Sequence, residues 1–219
     1  MQEIIDQYCS KEWQTFIRFH SETRSFGPSQ EIFKIGDKTE GLFFIEEGKV
    51  KILTSAANDK ERIIRLASNG DILGHRGFGG GWKYSITATT LTPTKVHFIP
   101  IEIFNQAVKA NAEFGFFMMM FFAEELRNAE RLAKQLPVKN LVASALFTMY
   151  TVFGFEDGHK TKLSFTMSRK DIANKAGTTY ESVVRSLAEL NKENIIRIDG
   201  KSIHLLDLKT IERMCSNND

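Results

Sequence analysis

The stretch Ser168–Leu190, S-R-K-D-I-A-N-K-A-G-T-T-Y-E-S-V-V-R-S-L-A-E-L, reads as two helices meeting at one tight turn. Ser168 suits the cap of a first helix, and Asp171, three places on, supports its first turn. Ile172, Ala173 and Ala176 put apolar or small side chains on one face. Gly177 comes next and can take the left-handed conformation that ends a helix. Thr178 is then expected to cap a second helix, with Glu181 at the capping-box spacing. Val183, Leu187 and Leu190 recur at steps of four and three and form the buried stripe of that helix.

A short helix, a glycine turn and a second amphipathic helix are the parts of a helix-turn-helix, whose second helix enters the major groove of DNA. Its outer face carries Thr178, Thr179, Tyr180, Glu181, Ser182 and Arg185. A carboxylate accepts from the cytosine amino group, and a guanidinium grips guanine through two acceptors. An ordinary helical hairpin with a solvated polar face is the plainer reading. The residues C-terminal to Leu190 weigh against it. Ile195–Ile198, Asp199-Gly200 and Lys201–Leu205 read as strand, two-residue turn and strand, which makes the unit a winged helix-turn-helix. Between Lys160 and Arg185 six basic side chains face two acidic ones, which suits a phosphate backbone.

The rest of the composition is that of a globular chain. Its 219 residues are 42% hydrophobic and 26% charged, with a net charge of +2, so it is no bulk polyanion binder. Two cysteines, Cys9 and Cys215, make neither a disulfide framework nor a Cys-x-x-Cys metal site, and a reduced, cytoplasmic setting is expected. The start M-Q-E-I-I-D-Q-Y lacks the pattern of a signal peptide, and no apolar run reaches the length of a membrane span.

Residues 1–19 predict one or two short helices, with Trp13, Phe16, Ile17 and Phe19 packed on the sheet beyond them. From about Ser21 to Pro100 short strands alternate with glycine turns: Ile32–Ile35, Leu42–Ile45, Val50–Leu53, Arg62–Leu66, Ser85–Leu91 and Lys95–Ile99. Such spacing predicts an antiparallel β sandwich or barrel, able to enclose a small molecule. Pro100 opens a helix through Asn111, and a long helix runs from about Ala112 to Leu136. In it Met119, Phe122, Leu126, Ala129, Ala133 and Leu136 form a heptad seam, the first five a candidate dimer interface, against the plainer reading of a helix packed on its own domain. Phe116, Phe117, Met120 and Phe121 are expected to pack on the β domain. Pro137 ends the helix at a hinge. A further helix spans Val138–Phe155, a short strand Leu163–Thr166 precedes the helix-turn-helix, and residues 207–214 close the chain.

This order resembles the Crp/Fnr family of bacterial transcription regulators. The resemblance rests on I-G-D at Ile35–Asp37, G-L-F-F-I-E-E-G-K-V-K-I at Gly41–Ile52, N-G-D-I-L-G at Asn69–Gly74 and S-R-K-D-I-A from Ser168. It implies an α+β fold: an N-terminal β-roll of the cyclic-nucleotide-binding kind, a dimerisation helix and a C-terminal winged helix-turn-helix. The expected division is 1–111, 112–137 and 138–219. The resemblance also implies double-stranded DNA, a second copy of the chain and RNA polymerase as partners, and no membrane. Ser168, Arg169, Thr178, Thr179, Tyr180, Glu181, Ser182 and Arg185 are then the DNA-binding residues, with Glu181 and Arg185 reading a G·C pair of a palindrome. The family often has arginine just before the glutamate; here it is Tyr180.

The sensor position departs further from the family. Cyclic-nucleotide binders carry Gly-Glu-Leu, whose glutamate meets the ribose, then Arg-Ser or Arg-Thr, whose arginine meets the phosphate. This chain has Gly74-His75-Arg76 and Tyr84-Ser85 in those places. A buried phosphate beside Tyr84 lacks its counter-charge, although Arg76 or Lys83 can supply one in another geometry. An iron–sulfur sensor needs four cysteines, and only Cys9 lies near the N-terminus. A haem would have to rest on a lone His75 or His97. Cyclic AMP, haem and an iron–sulfur cluster are therefore not expected, and no cofactor is assigned. The candidate effector pocket is Gly74, His75, Arg76, Tyr84 and Ser85, beneath a glycine flap at Gly79–Gly81. The expectation is a regulator whose roll senses an unidentified effector, and two readings rival it. One is a regulator that needs no ligand. The other is a cupin-type β-roll enzyme, and the five scattered histidines (His20, His75, His97, His159 and His204) give it no ligand spacing. No catalytic residue or metal ligand is assigned.

Overall fold

The structure is a computed structural model that describes residues 1–55, 61–79, 81–130 and 136–216. Ala133, Arg131 and Lys134, Gly80 of the expected flap and the turn at residues 58–60 lie outside the described residues, as does the side chain of Ala129. In chain order the elements are α1 (Gln2–Tyr8), α2 (Lys11–His20), β1 (Glu22–Phe26), β2 (Glu31–Phe33), β3 (Gly41–Glu47), β4 (Val50–Ser55), β5 (Glu61–Ala67) and β6 (Ile72–Leu73). Then come β7 (Thr87–Thr90), β8 (Thr94–Pro100), α3 (Ile101–Ala110), α4 (Ala112–Glu130), α5 (Val138–Phe153), α6 (Arg169–Ala176), α7 (Tyr180–Lys192), β9 (Ile196–Asp199), β10 (Ser202–Leu205) and α8 (Leu208–Cys215). The strands form two four-stranded sheets, in the orders β1-β8-β3-β6 and β2-β7-β4-β5, and one two-stranded sheet, β10-β9. The chain is α+β, with an antiparallel β-roll ahead of a winged helix-turn-helix. Residues 1–50 and 68–134 form one compact unit, and residues 51–67 and 135–219 form another.

In the first unit β3 is the central strand. It pairs antiparallel with β8, Gly41 opposite Pro100 and Phe43 opposite Phe98. Leu42, Phe43, Phe44 and Ile45 are all buried, so both of its faces are covered. Alternation sends Leu42 and Phe44 into a helical core with Ile5, Ile17, Phe104 and Phe114, while Phe43 turns toward Phe33 and Phe98. Gly41 sits where a Cβ would lie 2.1 Å from the Ile99 carbonyl oxygen, so no side chain fits there. Strand β1, E-T-R-S-F, forms an edge of its sheet and pairs with β8, Glu22 opposite Phe98. It carries too little apolar signal to be read as a strand from sequence. Strand β6, with only two residues, is equally illegible there.

Two expectations about aromatic packing are corrected. Ile17 is buried, but Phe19 of α2 is 83% exposed. In α4, Phe114 and Met118 take the buried positions, while Phe116 and Met120 are exposed. The buried face thus passes through residues 114 and 118, a phase that leaves 116 and 120 on the outside. Continuous apolar sequence conceals that phase.

In the second unit α5 packs with the helix-turn-helix helices and with α8, burying Val142, Leu146 and Met149. Residues 51–67 group here because β5 packs against α6. Lys51 Nζ lies 2.6 Å from Asp171 Oδ1, and Lys175 Nζ donates to the Ile64 carbonyl at 3.4 Å. Burial pushes the Lys175 ammonium pKa down, and the Arg62 charge adds to the effect. Leu163–Thr166 is not a strand. Leu163 makes a single bridge to Phe155, and its backbone N–H donates to the Ile203 carbonyl at 3.0 Å.

Candidate nucleic-acid interface and sensor position

Local chemistry fixes both helices of the motif. The Ser168 hydroxyl accepts from the Asp171 backbone N–H at 3.0 Å and donates to the Asp171 carboxylate at 2.8 Å. Gly177 stands at φ 67, ψ 36 and ends α6 in the left-handed region expected of it. The start of α7 differs by one residue from the sequence reading. Thr179, not Thr178, is the cap, its hydroxyl accepting from the Ser182 backbone N–H at 3.2 Å. The backbone N–H of Thr178 is spent on the Ala173 carbonyl that closes the turn. Glu181 therefore lies in the first turn of α7 without capping-box spacing. Ile172, Ala173, Ala176, Val183, Leu187 and Leu190 are buried as the spacing requires, together with Ser186.

The outer face of α7 presents Tyr180, Glu181, Val184 and Arg185, all exposed. Glu181 and Arg185 stand one helical turn apart, and among the described residues neither forms an ion pair. Thr179 and Ser168 are exposed, whereas Thr178, Ser182 and Arg169 are half-buried. The wing closes on a loop of Gly200 and Lys201, since Ser202 pairs with Asp199. The expected Asp199-Gly200 turn is thus shifted by one residue, which puts Gly200, at φ 55, first in the loop and leaves Lys201 exposed. The Asn191 side chain accepts from the Ile198 backbone N–H at 2.9 Å and ties the wing to the end of α7. Sequence reasoning missed Val184, Lys201 and Asn191. Only the exposure of Val184, between the buried positions 183 and 187, left a signal in the helical spacing.

At the expected effector position Tyr84 packs against aromatic side chains of the roll. Tyr84 is 3% exposed. Its ring lies 4.2 Å from that of Phe33, Phe33 lies 5.6 Å from Phe43, and Phe43 lies 4.9 Å from Phe98. The Tyr84 hydroxyl donates to the Gly41 carbonyl and accepts from the Glu40 backbone N–H, both at 3.2 Å. Burial pushes the Tyr84 hydroxyl pKa up. Gly74 lies against this stack, and a Cβ on it would come within 2.7 Å of the Gly41 carbonyl oxygen. The Ser85 hydroxyl donates to the Arg76 carbonyl at 3.4 Å. Neither His75 nor Arg76 turns to Tyr84: His75 Nε2 is 3.2 Å and Arg76 Nη2 3.4 Å from the Glu125 carboxylate on α4. Of the five candidate pocket residues, Gly74 thus lies beside Tyr84 and Ser85 beside Arg76, while His75 and Arg76 turn to α4. Lys83 is exposed, and so is Trp82.

The winged helix-turn-helix behind a roll and a long helix is matched by two family models. A cyclic nucleotide-binding domain model covers residues 23–111, and a Crp-like helix-turn-helix domain model covers residues 142–214. This chain belongs to the Crp/Fnr family. It is a DNA-binding transcription regulator and not an enzyme. Among relatives of this Crp/Fnr protein, the fumarate and nitrate reduction regulatory protein of Vibrio cholerae is 28% identical over 181 residues, which cover 81% of this chain and 72% of the relative. A CRP-like cAMP-activated global transcriptional regulator of Mycobacterium tuberculosis is 23% identical over 191 residues, covering 86% and 85%. Of the solved structures, FixK2 from Bradyrhizobium japonicum superposes with a TM-score of 0.79 at 21% identity, over 91% of this chain and 99% of that one, and shares its fold. Among the described residues no helix is long and apolar enough to cross a membrane.

Proposed function

We propose that this Crp/Fnr regulator works as a homodimer that reads an inverted repeat, each subunit placing the start of α7 in a major groove. The observation that carries the reading is the exposed pair Glu181 and Arg185, on a helix whose opposite face is buried. Their spacing lets a carboxylate accept from cytosine while a guanidinium holds guanine. Ser168, Arg169, Thr178, Thr179 and Ser182 surround the pair as phosphate and register contacts, with Tyr180 at the outer edge.

The dimer reading rests on α4. Phe116, Met119 and Met120 are exposed there, with Leu126 63% exposed, and their spacing keeps them on one side of the helix. A second copy of the same helix covers such a strip and sets two recognition helices on one face of the duplex. Phe122 of the expected seam contributes less, because its ring lies 6.0 Å from His75 and 6.2 Å from Phe78 of its own unit. In this reading residues 1–111 form the sensor-like domain, 112–137 the dimer helix and 138–219 the DNA reader. RNA polymerase is the onward partner, and the protein works in the cytoplasm, where its DNA is.

The residues at the sensor position do not fit a cyclic nucleotide. Tyr84 brings an uncharged ring where a phosphate needs a cation, and Arg76 is paired with Glu125. The burial of Tyr84 against Phe33 favours the ligand-independent reading over a small molecule beside it, so that activity tracks the amount of protein. The test is a titration of promoter DNA by the wild type and Arg185→Ala at two salt concentrations. The wild type should bind selectively and the variant should keep only salt-dependent, sequence-indifferent binding, a loss of about 10-fold to 100-fold on the specific site. Unchanged selectivity in the variant would remove the base-reading role.

A further inference from the structure

Val184 is an unused apolar side chain in the middle of a polar reading surface. Its neighbour Val183 is fully buried and fills the helix-turn-helix core, whereas Val184 is 45% exposed. An isolated exposed valine is ordinary on a protein surface. This one stands directly before Arg185, three residues after Glu181 and four after Tyr180, itself 52% exposed. At those spacings the four side chains share one helical face. A β-branched residue there adds nothing to helix propensity, and nearly half of it stands in solvent. It has no donor or acceptor to offer a base edge. The major groove presents one apolar group, the C5-methyl of thymine, and an aliphatic side chain is its complement.

We propose that Val184 reads a thymine methyl group in each half-site, beside the base pair held by Glu181 and Arg185. The inference rests on the major-groove reading of α7 and adds a specificity that hydrogen bonding alone does not supply. Tyr180 flanks the same methyl from one turn earlier and shields the contact from water, without carrying the discrimination.

The experiment replaces, one at a time, each thymine of a site bound selectively by the wild type with deoxyuridine. Deoxyuridine pairs identically and lacks only the methyl group. Wild type should lose roughly threefold to fivefold in affinity at one thymine position per half-site, the effect of one buried methyl. Val184→Ala, whose helical content is checked by circular dichroism, should still bind that site selectively but no longer distinguish thymine from deoxyuridine there. Discrimination that persists in Val184→Ala overturns the inference, and so does discrimination lost instead in Tyr180→Ala. Selective binding that Arg185→Ala abolishes, with no thymine position sensitive to the methyl, overturns the inference while leaving the DNA-reading proposal standing. A wild type with no sequence selectivity at all overturns both.

Discussion

Tyr84 is tied into the roll by both its ring and its hydroxyl. Its ring completes the aromatic stack with Phe33, and its hydroxyl satisfies both the Gly41 carbonyl and the Glu40 backbone N–H. Tyr84→Phe keeps the stack and strands both backbone groups, so it should lower the stability of the roll by about 1–3 kcal/mol in chemical denaturation. A variant as stable as the wild type would mean that water reaches those groups and that the interior is open. Arg185 lies at the other extreme. It is exposed and forms no ion pair among the described residues, and its proposed role is on DNA. Residue types were readable for both positions, because tyrosine in place of the family's arginine and glutamate four before arginine are visible in the sequence. The burial of Tyr84 was not, since it depends on Phe33 and Phe43, which are distant in the chain.

At the scale of elements, α7 and α4 differ in how plainly the sequence declares them. The buried positions of α7 come from a clean spacing of Val183, Leu187 and Leu190 against polar neighbours. Its first residue moved by one because adjacent threonines, Thr178 and Thr179, offer the same capping chemistry. Only the closing of the preceding turn decides between them. In α4, apolar residues run through the first half on every side, so the phase that buries Phe114 and Met118 and exposes Phe116 and Met120 could not be read. The exposed strip yields a direct prediction. Met119→Glu combined with Leu126→Glu places like charges at the proposed two-fold contact, and native mass spectrometry should then find a dimer for the wild type and a monomer for the variant. A double variant that stays dimeric would move the interface off this strip.

For the molecule as a whole, the order of roll, long helix and winged helix-turn-helix was legible from glycine turns and one capped helix pair. The burial of Tyr84 and the way residues 51–67 join the second compact unit required the structure, because the residues that meet, such as Lys51 and Asp171, are far apart in sequence. Tyr84 stacked on Phe33, with Arg76 held by Glu125, predicts that cyclic AMP does not stabilise the protein. Thermal unfolding with and without millimolar nucleotide should give the same midpoint. An upward shift would mean binding to the folded state and would reverse the sensor reading. The central claim is that two copies of α7 read a symmetric DNA site through Glu181 and Arg185. Selection from a random duplex pool by the purified full chain tests it most directly. The account predicts an inverted repeat with a G·C pair in each half-site and half-site centres about 10 base pairs, or a multiple of that, apart, with enrichment lost in Arg185→Ala. A pool without enrichment, or an asymmetric site selected equally by wild type and variant, would contradict it.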